Sequence, residues 1–152
     1  TMLGYTDDRD THAGASYLEL ADFLSTNGAR VNEDLAELWK RIVFSISVSN
    51  TGDHLRNHGF ILTEKGWILS PAFDINPNKQ GTGLTLNISD TDNSLEYDLA
   101  LEVAEYFSLK KDKEEKIIVD IKGKVGDWKA VADKYGIPKT EQLLMEKAFK
   151  VK

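Results

Sequence analysis

The residues best suited to chemistry lie in two polar segments that flank a pair of short hydrophobic runs. The first segment is Asn50-Thr51-Gly52-Asp53-His54-Leu55-Arg56-Asn57-His58-Gly59-Phe60, and the second is Ser70-Pro71-Ala72-Phe73-Asp74-Ile75-Asn76-Pro77. Amide and carboxylate oxygens are hard ligands of the kind that Mg²⁺ prefers, and phosphates and water usually complete its coordination. Asn57 and Asp74 therefore form a candidate magnesium pair if the chain between them folds back on itself.

Such a pair suits phosphoryl transfer, which needs a metal ion held against nucleotide phosphates and a carboxylate that orients the incoming hydroxyl. Protein kinases use an asparagine of the catalytic loop and an aspartate just beyond the following hairpin. The same residue types also fit plain turn chemistry, because Asn, Asp and Gly tolerate turn and left-handed backbone. On that alternative, the chain is a structural helical domain that binds no ligand.

The histidines give a weaker signal. A zinc site built on His54 and His58 would need a helix through this segment, and Gly52 and Gly59 argue against one. We interpret His12 and His58 as surface histidines. The chain has no cysteine, which excludes disulfides and cysteine-ligated zinc.

The elements on either side of the first polar segment are predicted from hydrophobic periodicity. Residues 60–63 and 67–70 flank Glu64-Lys65-Gly66 and predict a short β-hairpin. The preceding stretch predicts a helix that starts with Asn32 as N-cap and runs to about Ser49. Its apolar stripe consists of Leu35, Leu38, Trp39, Ile42, Val43 and Ile46. A buried helix and a hairpin would support rigidly the loops between them.

The rest of the chain is predicted to be mostly helical. Residues 1–14 are predicted to form a loop or arm, and a helix follows from Ser16 to Asn27. Leu84 to Ser89 predict a short strand. Three helices are predicted after Leu95, each from one apolar face. These faces consist of Leu99, Val103 and Tyr106 in the first helix, Ile117, Ile118, Ile121 and Val125 in the second, and Trp128, Val131, Ala132 and Tyr135 in the third. Gly136 ends the third, and the Thr140 hydroxyl is predicted to cap a last helix. The predicted fold class is mainly α (α+β), in a single domain over residues 1–152.

Composition limits the possible partners. The chain has 152 residues, of which 41% are hydrophobic and 29% charged, as in an ordinary globular domain. Its formal net charge is −6, and its one basic run, residues 110–116, is diluted by acids. We therefore expect no direct nucleic-acid binding by this chain alone. The sequence shows no bilayer-spanning stretch and no signal peptide, so we expect no membrane partner and a cytoplasmic location.

Both polar segments resemble the C-terminal domain of the HipA family of toxin kinases. The similarity extends to the preceding helix and to the closing helices around Trp128. It implies the helical C-terminal lobe of a protein-kinase-like fold, with ATP and Mg²⁺ as cofactors. By position, Asn57 and Asp74 would bind magnesium, while His54, Phe73 and Asp74 would contact the nucleotide. Kinases of this family phosphorylate protein serines or threonines, commonly on the translation machinery, and a DNA-binding antitoxin of the HipB type neutralises them.

The sequence departs from the family pattern at the catalytic base. The family's proton-accepting aspartate stands five residues before the metal-binding asparagine, and Gly52 occupies that position here. Asp53 is a candidate substitute, but neighbouring side chains of an extended loop point in opposite directions, so a backbone shift at Gly52 would be required. We therefore expect reduced or absent phosphotransfer.

A second departure concerns the phosphate contacts. No glycine-rich phosphate loop with a following lysine precedes Asn50, so we expect an N-terminal kinase lobe to be a separate partner or part of a longer chain, and the isolated lobe to be inactive. The alternative function is a pseudokinase or an antitoxin-binding module without phosphotransfer.

Overall fold

The computed structural model describes residue 3 and residues 14–151, so the predicted arm over residues 1–14 lies almost entirely outside the described residues. The described part contains six α-helices: α1 (Tyr17–Asn27), α2 (Val31–Val48), α3 (Tyr97–Glu102), α4 (Lys111–Gly126), α5 (Trp128–Lys134) and α6 (Lys139–Met145). Two strands, β1 (Phe60–Thr63) and β2 (Gly66–Leu69), pair antiparallel, and short 3-10 turns cover Leu55–Asn57, Ala104–Phe107 and Glu146–Ala148. The predicted mainly α (α+β) class is confirmed. None of the helices in these residues has the length and apolarity needed to cross a bilayer.

Helix α2 lies at the centre of the core. The whole predicted stripe from Leu35 to Ile46 is buried, and α1, α3 and α4 all pack against this helix. The Trp39 indole N–H donates to the Ala100 carbonyl oxygen at 2.8 Å, which satisfies the one polar group of that buried ring. Burial of each large apolar side chain stabilises the folded state by about 1.5–3 kcal/mol. Helix α2 is therefore a rigid base for the loop at its C-terminus.

The hairpin is attached to α2 by a buried carboxylate. Its register pairs Phe60 with Leu69 and Thr63 with Gly66, so β2 begins one residue earlier than predicted. Asp34 of α2 accepts a hydrogen bond from the backbone N–H of Leu69 at 3.0 Å. This bond fixes the end of the hairpin from which the second polar segment departs.

Two predicted helix caps are wrong, and one predicted start is confirmed. Ser16 caps α1 with a reciprocal bond to Glu19, as expected for a capping box. Helix α2, by contrast, begins before Asn32: Arg30 is its N-cap, and the Arg30 guanidinium donates to Asp34 at 3.1 Å. Helix α6 begins at Lys139, before the predicted cap Thr140, because Pro138 already has a backbone dihedral suited to helix entry.

The strand predicted over residues 84–89 does not form as a regular strand. The alternation is correct, since Leu84, Leu86 and Ile88 are buried. Pairing, however, is limited to isolated bridges, Ser16 with Asn87 and Gly83 with Ser94. The chain opposite Asn87 enters α1 at Tyr17, so no partner strand continues beside it.

The closing helices bury only part of their predicted apolar faces. Ile117, Ile118 and Ile121 of α4 pack against the core. In α5 the predicted face is largely open: Ala132 is buried, but Val131 is 50% exposed and the neighbouring Tyr135 is 75% exposed. These side chains line a groove between α2, α4, α5 and α6.

Candidate functional site

The first polar segment leaves α2 through a left-handed turn. Ser49 has φ 51°, and the Asn50 N–H donates back to the Ser45 carbonyl oxygen at 2.8 Å, which closes the helix end. The side chain of Asn50 is buried and accepts a hydrogen bond from the backbone N–H of Asn76 at 3.1 Å. Asn50 therefore ties the two polar segments together.

Thr51 is held from two further sides. The Thr85 hydroxyl donates to the Thr51 carbonyl oxygen at 2.7 Å, and the Asn78 side-chain amide donates to the Thr51 hydroxyl at 2.7 Å. The predicted loop is thus a fixed structure, although it has little regular secondary structure.

The two predicted magnesium ligands meet. Asn57 lies in the 3-10 turn Leu55–Asn57, and its Nδ2 donates to Oδ2 of Asp74 at 2.9 Å and to the Asp74 carbonyl oxygen at 3.3 Å. Asn76 Nδ2 donates to Oδ1 of the same carboxylate at 2.9 Å. Asp74 itself has φ 56°, a left-handed backbone that directs its side chain back towards the first segment.

The side chains of Asn57 and Asp74 fit a hard divalent cation as ligands. Asn57 is 3% exposed, and its Oδ1 is buried without a hydrogen-bond partner in the described structure, which costs about 1–3 kcal/mol. A half-turn of the amide exchanges Oδ1 and Nδ2 and would direct the oxygen to the Asp74 carboxylate, as a shared cation requires. Within the described ranges, no group of three or more His, Asp and Glu side chains could hold a metal ion. A single carboxylate with an amide suits Mg²⁺, whose other ligands are phosphates and water.

Gly52, at the family's base position, is exposed and unobstructed. A Cβ built on Gly52 would meet no atom within 4 Å, and the residue is outside the left-handed region. An aspartate side chain would therefore fit there without backbone strain.

Asp53 points the other way, into the protein. It is 4% exposed, its Oδ2 accepts a hydrogen bond from the Tyr17 hydroxyl, and His58 Nε2 lies 3.1 Å from its Oδ1. Burial, and then the charge of Asp53, raise the pKa of Tyr17 well above its usual value, so the hydroxyl stays a donor. This placement disfavours Asp53 as a substitute base, because its carboxylate is enclosed by donors.

His58 and Tyr17 are the site residues that the sequence analysis missed. The prediction of a surface position for His58 is wrong, since it is 7% exposed, and its ring packs edge-on against Tyr17 with 5.5 Å between centroids. His12 lies outside the described residues. Tyr17 lies on the buried apolar face of α1, and the sequence analysis gave it no role in the site. A tyrosine on such a face usually has a buried partner for its hydroxyl, and that was the signal available.

Besides Asp74, the predicted nucleotide contacts are His54 in the first polar segment and Phe73 in the second. His54 is half-buried, with Nδ1 lacking a hydrogen-bond partner among the described atoms. The Phe73 ring is 48% exposed next to Asp74, so it presents an apolar face to solvent. Their roles against a nucleotide stay predictions.

The fold and this geometry define a helical domain with a candidate divalent-cation site on the loops around a central hairpin. A family model described as HipA-like C-terminal domain matches residues 1–142. Because the match covers most of the chain, this protein belongs to the HipA-like C-terminal domain family. A comparison with curated proteins finds no match.

Proposed function

We propose that this domain is the C-terminal lobe of a HipA-like protein serine/threonine kinase, which holds ATP and Mg²⁺ for phosphoryl transfer to a protein hydroxyl. The observation that carries the proposal is the meeting of Asn57 and Asp74 at 2.9 Å from opposite ends of the hairpin. Membership of the HipA-like family supports a biological role for this protein as the toxin of a toxin–antitoxin module.

In this proposal, Asn57 and Asp74 hold the cation, while His54 and Phe73 contact the nucleotide. Bound Mg²⁺ would supply neutralisation of the negative charge on the phosphates. An N-terminal kinase lobe would complete the phosphate contacts. A protein of the translation machinery would be the substrate, a DNA-binding antitoxin of the HipB type the regulator, and the cytoplasm the location.

Phosphotransfer by this lobe is expected to be impaired, because the base position holds a glycine and the carboxylate of the adjacent Asp53 faces the interior. Gly52 has no side chain, and the Asp53 carboxylate is buried against Tyr17 and His58. The same observation favours a second candidate function: a pseudokinase or antitoxin-binding module that retains ligand binding without turnover.

The cation site is tested with Mn²⁺ as the probe, by following the electron paramagnetic resonance signal of free Mn²⁺ with and without ATP. Asp74→Asn removes the carboxylate, yet asparagine tolerates the left-handed backbone at this position. We expect this variant to bind Mn²⁺ about tenfold more weakly or worse, since half of the protein's ligand set is lost.

Asp90→Asn is the matched control, because Asp90 is an exposed aspartate of another loop. It should bind Mn²⁺ like the unmodified chain. Equal affinity in Asp74→Asn and Asp90→Asn, or no Mn²⁺ binding by the unmodified chain, would overturn the proposal.

A further inference from the structure

Tyr17, Asp53 and His58 form a buried polar cluster beside the candidate cation site. Their exposed fractions are 0%, 4% and 7%, so water does not solvate the carboxylate of Asp53. Burying a carboxylate costs several kcal/mol unless donors compensate it. Here the compensation comes from the Tyr17 hydroxyl on one side and the His58 ring nitrogen on the other.

The cluster encloses the turn that carries Asn57. Asp53 and His58 lie on opposite sides of Leu55–Asn57, and their side-chain contact at 3.1 Å closes the loop around it. Within the closed loop, the Asn57 N–H donates to the His54 carbonyl oxygen at 2.8 Å and the His58 N–H to that of Leu55 at 3.2 Å. The position of Asn57 is therefore linked to the Asp53–His58 contact.

Tyr17 connects this closed loop to the rest of the fold. It is the first residue of α1, and its backbone N–H donates to the Asn87 carbonyl oxygen at 3.0 Å. The hydroxyl of Tyr17 thus joins the loop to a helix start that is itself bound to the segment around Asn87.

We propose that Tyr17, Asp53 and His58 are positioning residues for cation binding, an inference that rests on the proposed function. In this role Asp53 holds the loop and does not accept a proton. The cluster acts through Asn57, which it holds against Asp74. An apolar trio would fill the same space at a lower desolvation cost, but it would give the loop no directional attachment to α1.

The test removes one hydroxyl in Tyr17→Phe and reads the side-chain amide resonances of Asn57 by ¹⁵N NMR, together with Mn²⁺ affinity. We expect the Asn57 amide signals to shift or split, and Mn²⁺ affinity to fall about tenfold, as when outer-shell partners of a ligand are lost. Asp53→Asn, which preserves side-chain shape, serves as a second variant and should shift the same signals.

Tyr97→Phe is the matched control. Its hydroxyl contacts the Ser47 hydroxyl at 2.8 Å and donates to the Lys150 carbonyl oxygen at 2.6 Å, outside the polar loop. If Tyr17→Phe and Asp53→Asn leave the Asn57 signals as unchanged as Tyr97→Phe does, the inference is wrong, whatever the change in stability. Absence of Mn²⁺ binding in the unmodified chain would instead remove the proposed function, while the amide signals would still decide the positioning role.

Discussion

At the scale of single residues, two neighbours in the first polar segment have opposite environments. Gly52 faces open space, whereas the Asp53 carboxylate is enclosed by the Tyr17 hydroxyl and the His58 ring. The expected extended loop is a turn here, since the Asp53 N–H donates to the Asn50 carbonyl oxygen at 3.2 Å, and this turn separates the directions of the two positions. The acid that remains in this sequence is therefore the one that supports the loop, and the open position has no side chain.

Restoring an acid at the open position should create activity if the proposed function is correct. Gly52→Asp meets no steric obstacle, so we expect its free energy of unfolding to change by less than about 0.5 kcal/mol. A positioned base typically contributes about a hundred- to ten-thousand-fold in rate. Transfer of labelled γ-phosphate from ATP should rise by at least about a hundredfold when the lobe is completed by its N-terminal partner.

A Gly52→Asp protein no more active than the unmodified one would contradict this expectation. Strong transfer by the unmodified protein would instead eliminate the pseudokinase alternative and would require a base other than residue 52.

At the scale of elements, helix starts show where local sequence signals agree with the structure. Ser16 has both halves of a capping box: its side chain accepts from the Glu19 N–H, and Glu19 accepts from the Ser16 N–H at 3.1 Å. The Ser16 hydroxyl also accepts from the Leu18 N–H at 3.1 Å. Thr140 offers the same hydroxyl chemistry but lies inside α6, one residue after its start. A hydroxyl stabilises a helix start only if the backbone enters the helix at that residue.

The two hydroxyls should therefore differ in their contribution to stability. We expect Ser16→Ala to lower the free energy of unfolding by about 1 kcal/mol, because it leaves a backbone N–H of the first turn without its cap. Thr140→Ala should change it by less than about 0.5 kcal/mol. Urea unfolding followed by tryptophan fluorescence measures both, and equal losses in the two variants would contradict this account of the helix starts.

At the scale of the whole molecule, the core and the candidate site share one structure. Helix α2 is buried along the core and ends in the polar loop, while Asp34 on the same helix holds the hairpin through the Leu69 N–H. Tyr17 joins α1 to that loop. Global stability should therefore respond to the protonation of groups next to the site.

Tyr17 should make the protein less stable at alkaline pH. Its native pKa is raised well above the usual 10.0 by burial and then by Asp53, so the native state retains a proton that the unfolded state loses. Stability is thus complete below pH about 10 and falls as pH rises towards the native pKa. Urea unfolding between pH about 8 and about 11 should show a shallower decline in Tyr17→Phe.

Tyr97→Phe is again the comparison, since burial also raises the pKa of Tyr97, which is only half-buried. It should flatten the decline less than Tyr17→Phe does. The same alkaline slope in the unmodified chain and in Tyr17→Phe would show that Tyr17 does not govern this loss.

The sequence by itself determined the helices with a strong apolar period, the hairpin and the two polar segments on either side of it. These features depend on local periodicity and turn residues, so α1, α2 and β1 appear where Ser16, Leu35 and Phe60 predicted them. The pairing of Asn57 with Asp74 was also predictable, because a short hairpin brings its two ends together.

Only the tertiary structure decided which way each polar side chain of the loop faces. The burial of His58, the inward direction of Asp53 and the role of the Tyr17 hydroxyl depend on a contact between residues 17 and 53, which are far apart in sequence. The failure of residues 84–89 to form a strand has the same origin, since a strand needs a partner and α1 begins where that partner would continue. Local patterns specify which groups are present, and long-range packing specifies which of them meet.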